Sequence, residues 1–279
     1  MKPAAFRYHD PRTLDEALGL LATLEDARIL AGGQSLMPML NMRIVQPSHV
    51  IDVNRVQELS YIRAEGDVLE VGAMTRQRDL EFSELVATRF PLLHEAVRHI
   101  GHRQTRNRGT LGGSLCQLDP SAELVTVAAA VQATVLVASK GGTREIPFAE
   151  FPLGLMTPAI EPHELVTAVR FPLWKPGHGY GFEEFARRHG DFALASAAAL
   201  IEMDGARMAR ASVTVGGVYT HPQVLALQPS AALLDDAVKA CDALEVMDDI
   251  HVSGEYRRRV GRAMVRRALE KAYGRIQKN

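Results

Sequence analysis

Two short turns carry the residues of this chain best placed to do chemistry. The first reads Ala31-Gly32-Gly33-Gln34-Ser35-Leu36 and the second Gly109-Thr110-Leu111-Gly112-Gly113-Ser114-Leu115. In each, two adjacent glycines stand beside hydroxyl residues. Paired glycines let consecutive backbone N–H groups converge on an anion with no Cβ in the way. The hydroxyls of Ser35, Thr110 and Ser114 would add donors. Residues 36–42 suit a short helix, with Pro38 early enough to be tolerated, and its N-terminus would face the same anion. Two such nests suit a diphosphate held from both sides. Each Gly-Gly-Ser also reads as a plain tight turn, and the GxGxxG dinucleotide fingerprint is absent. The pair therefore points to phosphate or nucleotide binding and no further.

The elements that must position these turns are legible on either side of them. Thr13-Leu14-Asp15-Glu16 is a capping box, with Glu16 expected to reach back to the cap residue. Leu14, Ala17, Leu18 and Leu21 follow at helical spacing. Residues 27–31 read as a strand running into the first glycine turn. Residues 68–73 read as a second strand, and 83–100 as a helix interrupted near Pro91. Asp119-Pro120 predicts a helix start, Asp at the cap and Pro at the first helical position. Residues 133–138 and 164–171 read as strands, followed by a Pro- and Gly-rich cluster over 172–179. Beyond it come strands over 192–203 and 211–218, then a basic helix from about Glu255. Strands and helices mix without a regular βαβ rhythm, which predicts an α+β fold.

Composition narrows the functional classes. With 279 residues the chain exceeds an ordinary single core, so two units are expected. Thirty-two Lys and Arg balance 33 Asp and Glu, which argues against coating nucleic acid or anionic membrane by net charge. The two cysteines, Cys116 and Cys241, form no CxxC, so the chain supplies neither a Cys-ligated zinc nor an iron–sulfur cluster of its own. No stretch reaches the ~20 apolar residues of a membrane span, and the N-terminus shows no secretion signal, so a cytoplasmic location is expected. His94, His99 and His102 share no ligand face, and no metal site is expected. Arg98, Arg103, Arg106 and Arg108 would offset phosphates, face a partner or be solvated. In the terminal helix Val260, Met264, Ala268 and Ala272 recur every four residues, with Ala263 and Leu269 widening the stripe. That is an amphipathic helix packed on its own domain, its arginines solvated or meeting a partner.

In full context the second turn goes beyond this. The run Ile100-Gly101-His102-Arg103-Gln104-Thr105-Arg106-Asn107-Arg108-Gly109-Thr110-Leu111-Gly112-Gly113-Ser114, followed by Asp119-Pro120-Ser121-Ala122-Glu123-Leu124, closely resembles the FAD-binding medium subunit of the molybdenum hydroxylases. That family includes molybdenum carbon monoxide dehydrogenase and the flavin domain of xanthine dehydrogenase. The turn AGGQSLMP, the segment Pro162-His163-Glu164-Leu165-Val166 and the segment 185–193 match it too, so the resemblance spans the chain.

The resemblance implies a two-part FAD-binding α+β domain of the vanillyl-alcohol-oxidase type over 1–174, with parts near 1–57 and 58–174. A smaller α+β domain would occupy 175–279. It also implies that residues Ala31, Gly32, Gly33, Gln34, Ser35 and Leu36 hold the diphosphate from one side. Thr110, Gly112, Gly113 and Ser114 would hold it from the other. Ile100 and His102 would lie near its adenine or phosphate end, Asp119 and Glu123 toward sugar or ribityl hydroxyls, and Leu165 and Val166 near the isoalloxazine ring.

Function follows by the same resemblance. Electrons would pass from iron–sulfur clusters of a small subunit through FAD to an external acceptor, while a large molybdopterin subunit hydroxylates substrate, in an (αβγ)2 heterohexamer. Catalytic side chains are not required here, because the redox chemistry belongs to the cofactor. The family's lysine before the Arg-Arg segment is missing, replaced by Glu183-Glu184; Arg187, Arg188 or water would have to substitute. A self-sufficient flavin oxidase or reductase on the same fold, and a non-catalytic anion- or nucleic-acid-binding module, are the competing readings.

Overall fold

The structure, a computed structural model, describes residues 1–276. Strand β1 (Arg7–His9), helix α1 (Leu14–Thr23), β2 (Ala27–Leu30), α2 (Leu36–Asn41) and β3 (His49–Asp52) form the first layer. The three strands make a small parallel sheet in the order β1-β3-β2. A local βαβ rhythm therefore exists here that the short apolar runs did not reveal, within a fold that is α+β as a whole. The Thr13 hydroxyl accepts from the Glu16 N–H as the capping box requires. The Glu16 carboxylate, however, accepts from the Arg12 N–H, one residue before the cap. Ala17, Leu18 and Leu21 turn inward onto the sheet.

Next come β4 (Ile62–Glu65) and β5 (Val68–Gly72), then six short helices. These are α3 (Gln77–Phe82), α4 (Glu84–Arg89), α5 (Pro91–Val97), α6 (Arg103–Arg108), α7 (Leu111–Gln117) and α8 (Glu123–Ala130). Pro91 opens α5 at a position where its missing N–H costs nothing. The expected Asp119 cap is not formed. Asp119 instead accepts from the Ser121 N–H in a tight Asx turn, and α8 starts three residues later behind Ala122. The short side chain satisfied its own backbone before a helix could use it. Strands β6 (Thr134–Ser139), β7 (Gly142–Pro147), the small hairpin β8 (Pro152–Gly154) and β9 (Thr157–Pro158), and β10 (Leu165–Pro172) follow. The result is a five-stranded antiparallel sheet in the order β4-β5-β10-β6-β7.

The last part holds β11 (Gly179–Phe185), β12 (Ala195–Asp204), β13 (Arg207–Gly216), β14 (Gln223–Val224), α9 (Leu233–Ala240) and the long α10 (Gly254–Gly274). Strand β12 begins three residues later than the apolar run predicts, because Gly190 turns at φ +86° and Leu194 N–H bonds back to the Phe185 carbonyl. Strand β13 begins earlier, as soon as the Asp204-Gly205 turn reverses the chain. Helix α10 lies so close on β11 that a Cβ at Gly179 would stand 2.1 Å from the Ala272 carbonyl oxygen. Val260, Met264, Ala268, Leu269 and Ala272 are buried beneath it, joined by Val265, while Ala263 faces solvent. Arg257 is not solvated: it is 4% exposed and donates to the Leu194 and Gly217 carbonyls.

Helix α8 joins the two halves. All eight of its residues are buried. Thr126 meets Ser196 at 3.5 Å, and the Ser212 hydroxyl donates to the Ala130 carbonyl at 2.7 Å. On the same seam Lys271 of α10 bonds Glu95 of α5 at 2.7 Å, and Arg275 contacts the same carboxylate.

Candidate functional site

The first glycine turn is open. Strand β2 runs into it, Gly33 takes φ +73°, and α2 starts at Leu36. Among the described residues, the N–H groups of Gly32, Gly33, Gln34 and Ser35 donate to no protein acceptor. The Ser35 side chain makes no capping bond to α2, and the Gln34 amide donates back to the Gly32 carbonyl at 3.2 Å. Four consecutive unused donors with exposed Gln34 and Ser35 side chains beside them form a set that suits phosphate oxygens.

The second glycine turn is closed, against expectation. Leu111 N–H donates to the Thr75 carbonyl at 3.0 Å and Gly112 N–H to the Ala73 carbonyl at 2.8 Å. Gly113 N–H is capped by the Thr110 hydroxyl at 3.1 Å, and Ser114 N–H bonds the Thr110 carbonyl. The first four amides of α7 are thus all spent within the protein, and Thr110 acts there as an acceptor. The glycines serve packing instead. A Cβ at Gly112 would lie 2.6 Å from the Ala73 Cβ, and one at Gly109 2.3 Å from Gln77 Oε1. Of the expected donors here, the half-buried Ser114 hydroxyl is free of protein partners among the described residues.

The two turns touch. A Cβ at Gly32 would stand 2.1 Å from the Arg108 carbonyl oxygen, and one at Gly113 3.6 Å from the Ala31 Cβ. Asn54 and Arg76, neither singled out by the sequence reading, stitch the contact. Asn54 Nδ2 donates to the Ala31 carbonyl at 2.9 Å, and Arg76 Nη1 donates to the Arg108 carbonyl at 2.6 Å. Asp52-Val53-Asn54 after an apolar strand is a readable Asx turn; nothing local marks Arg76.

Toward the C-terminal part the site becomes titratable. Glu123, at the first position of α8, is 7% exposed. Burial pushes its carboxyl up to about 8, with the nearby charge of Glu184 adding to the shift. Burial likewise raises Asp119, partly offset by the Ser121 N–H. Glu184 on β11 lies 3.6 Å from His99 Nδ1, while its buried Oε2 has no hydrogen-bond partner among the described residues. His102 stacks on His189 with ring centres 6.0 Å apart, and Gly190 leaves room for the His102 ring. Two clefts of about 490 and 410 Å³ flank the Gly190 turn, one lined by Asp119 and Phe192, the other by His99 and Glu184.

Of the remaining expected site residues, Ile100 is buried in the main core. Leu165 and Val166 are 6% and 3% exposed. Leu165 belongs to the small core against which Ala31 also packs. Of the four clustered arginines, Arg106 is taken by Glu81 at 2.9 Å and by the Ile100 carbonyl. Where the family's lysine is missing, Glu183 is paired with Lys271 of α10, which also donates to the Phe182 carbonyl at 3.2 Å.

With this geometry in hand, comparison with known proteins is informative. A family model described as the FAD binding domain in molybdopterin dehydrogenase matches residues 4–174, and one described as the CO dehydrogenase flavoprotein C-terminal domain matches residues 180–272. The chain is 40% identical over 288 residues to the 6-hydroxypseudooxynicotine dehydrogenase complex subunit alpha of Paenarthrobacter nicotinovorans, covering 99% of this chain and 97% of that one. It is 39% identical to the caffeine dehydrogenase subunit beta of Pseudomonas sp. strain CBB1, at the same coverage. A solved carbon monoxide dehydrogenase chain from Hydrogenophaga pseudoflava superposes with a TM-score of 0.94 at 34% identity, covering 99% of this chain and all of that one.

Proposed function

The chain belongs to the family of FAD-binding medium subunits of molybdenum hydroxylases, and we propose that it relays electrons from iron–sulfur clusters of a small partner subunit, through its FAD, to an external acceptor. A large partner with the molybdopterin would hydroxylate substrate, in an (αβγ)2 assembly in the cytoplasm. Residues 1–174 would form the FAD-binding unit and 175–279 the unit that closes over it. No described helix is long and apolar enough to cross a membrane.

The observation that carries the cofactor reading is the open first turn: four unused amides beside Ser35, with no carboxylate on the turn to repel a diphosphate. The donor set fits the group. In this reading Gly32 to Ser35 bind the diphosphate through their backbone. Ser114 adds a hydroxyl from the facing turn, and Leu36 and Leu165 supply apolar backing. Thr110, Gly112 and Gly113 hold α7 in place against Ala73, which keeps the turns in register. Glu123, protonated below about pH 8, offers a carboxylic acid to a hydroxyl, and Asp119, Ile100 and His102 wall the same end. Val166 faces the main core on the opposite side of β10 from Leu165. When bound, the flavin supplies two-electron and one-electron redox chemistry; the chain's part is to bind it, orient it and set its surroundings.

The native complex tests this. Its visible spectrum should show flavin and iron–sulfur absorption, with a large and a small chain identified by mass beside this one, and substrate should bleach the flavin. Flavin on a chain that purifies alone and turns over substrate would replace this reading with a self-sufficient oxidase. A colourless chain that takes up no FAD would overturn the cofactor assignment.

A further inference from the structure

We infer that Arg76 governs how tightly this chain holds the diphosphate of FAD, by bracing the seam between the two glycine turns and bringing an uncompensated positive charge to it. The inference rests on the FAD reading above and adds a residue that neither glycine motif contains.

The geometry is specific. Arg76 sits at the cap position of α3, directly after β5 has delivered the chain to the site. Its Nη1 donates to the Arg108 carbonyl at 2.6 Å, the oxygen against which Gly32 packs. Its Nη2 donates to Asn54 Oδ1 at 2.5 Å, and the same amide donates from Nδ2 to the Ala31 carbonyl. One guanidinium therefore reaches the second turn directly and the first through Asn54. Only a planar fork with several donors can span both partners at once.

The charge is the second half of the argument. Among the described residues, no carboxylate reaches ion-pair contact with Arg76 or with Arg108; Asp79 and Asp52 act on Arg76 only from a distance. Burial and the like charge of Arg108 both disfavour its protonated form. A neutral donor would avoid that cost. A half-buried cation beside a second cation and four open amides is a site whose compensating charge arrives with a ligand. The diphosphate supplies that charge where the first turn would bind it.

The test uses the full chain, freed of flavin and titrated with FAD at low and high salt, with inorganic pyrophosphate as competitor. R76Q should weaken FAD binding roughly tenfold or more, the worth of a charge-assisted hydrogen bond. It should also lose part of the wild-type salt sensitivity, and pyrophosphate should compete with FAD less effectively. R76K keeps the charge and loses the fork, so it should fall between the two with salt sensitivity preserved. N54A should lose affinity while remaining salt-sensitive. Wild-type affinity and salt response in R76Q would overturn the inference, as would equal losses in R76Q and R76K with unchanged salt response, which mark a purely structural brace. Should R76Q not fold, the neutral R76M is compared with R76K: a larger loss with reduced salt sensitivity in R76M supports the inference, and equal losses with unchanged salt response overturn it. A wild-type chain that binds no FAD would overturn the cofactor reading itself, a result distinct from failure of Arg76 alone.

Discussion

The two glycine turns look alike in sequence and do opposite things in the fold. Gly32-Gly33 leaves four backbone donors unused, whereas Gly112-Gly113 has every donor of its helix start paired inside the protein. The same residue pair thus leaves backbone donors open in one place and packs against protein in the other. The difference comes from what lies behind each turn. The first follows β2 at the edge of the three-stranded parallel sheet, with Gln34 and Ser35 exposed. The second is laid against the segment just after β5, where the Ala73 and Thr75 carbonyls accept its amides. A Gly-Gly-Ser therefore identifies a place where backbone must come close to something, and the surroundings decide whether that something is ligand or protein.

The largest effect should come from Gly32, where the two roles meet. Its Cβ would collide with backbone, 2.1 Å from the Arg108 carbonyl oxygen, and backbone cannot swing aside as a side chain can. Gly32→Val is expected to separate the turns and abolish FAD retention, with a stability loss of about 3 kcal/mol or more. Full flavin content in the purified variant would break the comparison at its root. Gly112→Val should come next and act differently. It meets Ala73 at 2.6 Å, so it should cost about 1–3 kcal/mol in urea unfolding of the FAD-free chain, with flavin loss following from that damage. A variant of normal stability that binds no FAD would make the second turn a direct ligand site after all.

A third prediction extends the contrast to the far end of the cleft, where Glu123 is the buried ionisable group. Its carboxyl titrates near 8 in the folded chain against 4.5 when unfolded. Between those values the unfolded chain has released the proton and the folded chain has kept it. Stability should therefore fall as pH rises from about 4.5 to 8 and level off above, when FAD is absent. Glu184, Asp119 and Arg106 face the same carboxyl and shape the curve. Glu123→Gln should flatten the pH dependence of Tm across that window; an unchanged slope would show that Glu123 is not held protonated.

Most of the fold was legible because its signals are local. The Thr13 cap, the Pro91 interruption, strands β5, β6 and β10 and the stripe of α10 all announce themselves within a few residues. Legibility failed where a long-range partner decides. Asp119 was lost to an Asx turn, Arg257 to two carbonyls far along the chain, and the closure of the second turn to the segment after β5. Arg76 was invisible for the same reason, since Asn54 and Arg108 lie 22 and 32 residues away. The Lys271–Glu183 ion pair joins α10 to β11 across 88 positions, and no motif spans that distance. The motif residues were readable as a set, and their division of labour was not.

The smallest effects sharpen the comparison most, because they separate binding from folding one hydroxyl at a time. Ser35 and Thr110 both stand at helix starts, yet Ser35 caps nothing and Thr110 caps Gly113. Losing an N-cap hydroxyl costs about 1 kcal/mol, so Thr110→Val should lower Tm by several degrees at most in the FAD-free chain. Ser35→Ala removes no internal bond, so the FAD-free Tm should stay put. Its loss should appear only when FAD is titrated in, as a weakening of a few fold from one forfeited hydrogen bond. The two variants should thus fall on opposite axes of a plot of Tm against FAD affinity. If Ser35→Ala destabilises the FAD-free chain, or leaves FAD affinity untouched, the first turn is not the open ligand face its free amides indicate.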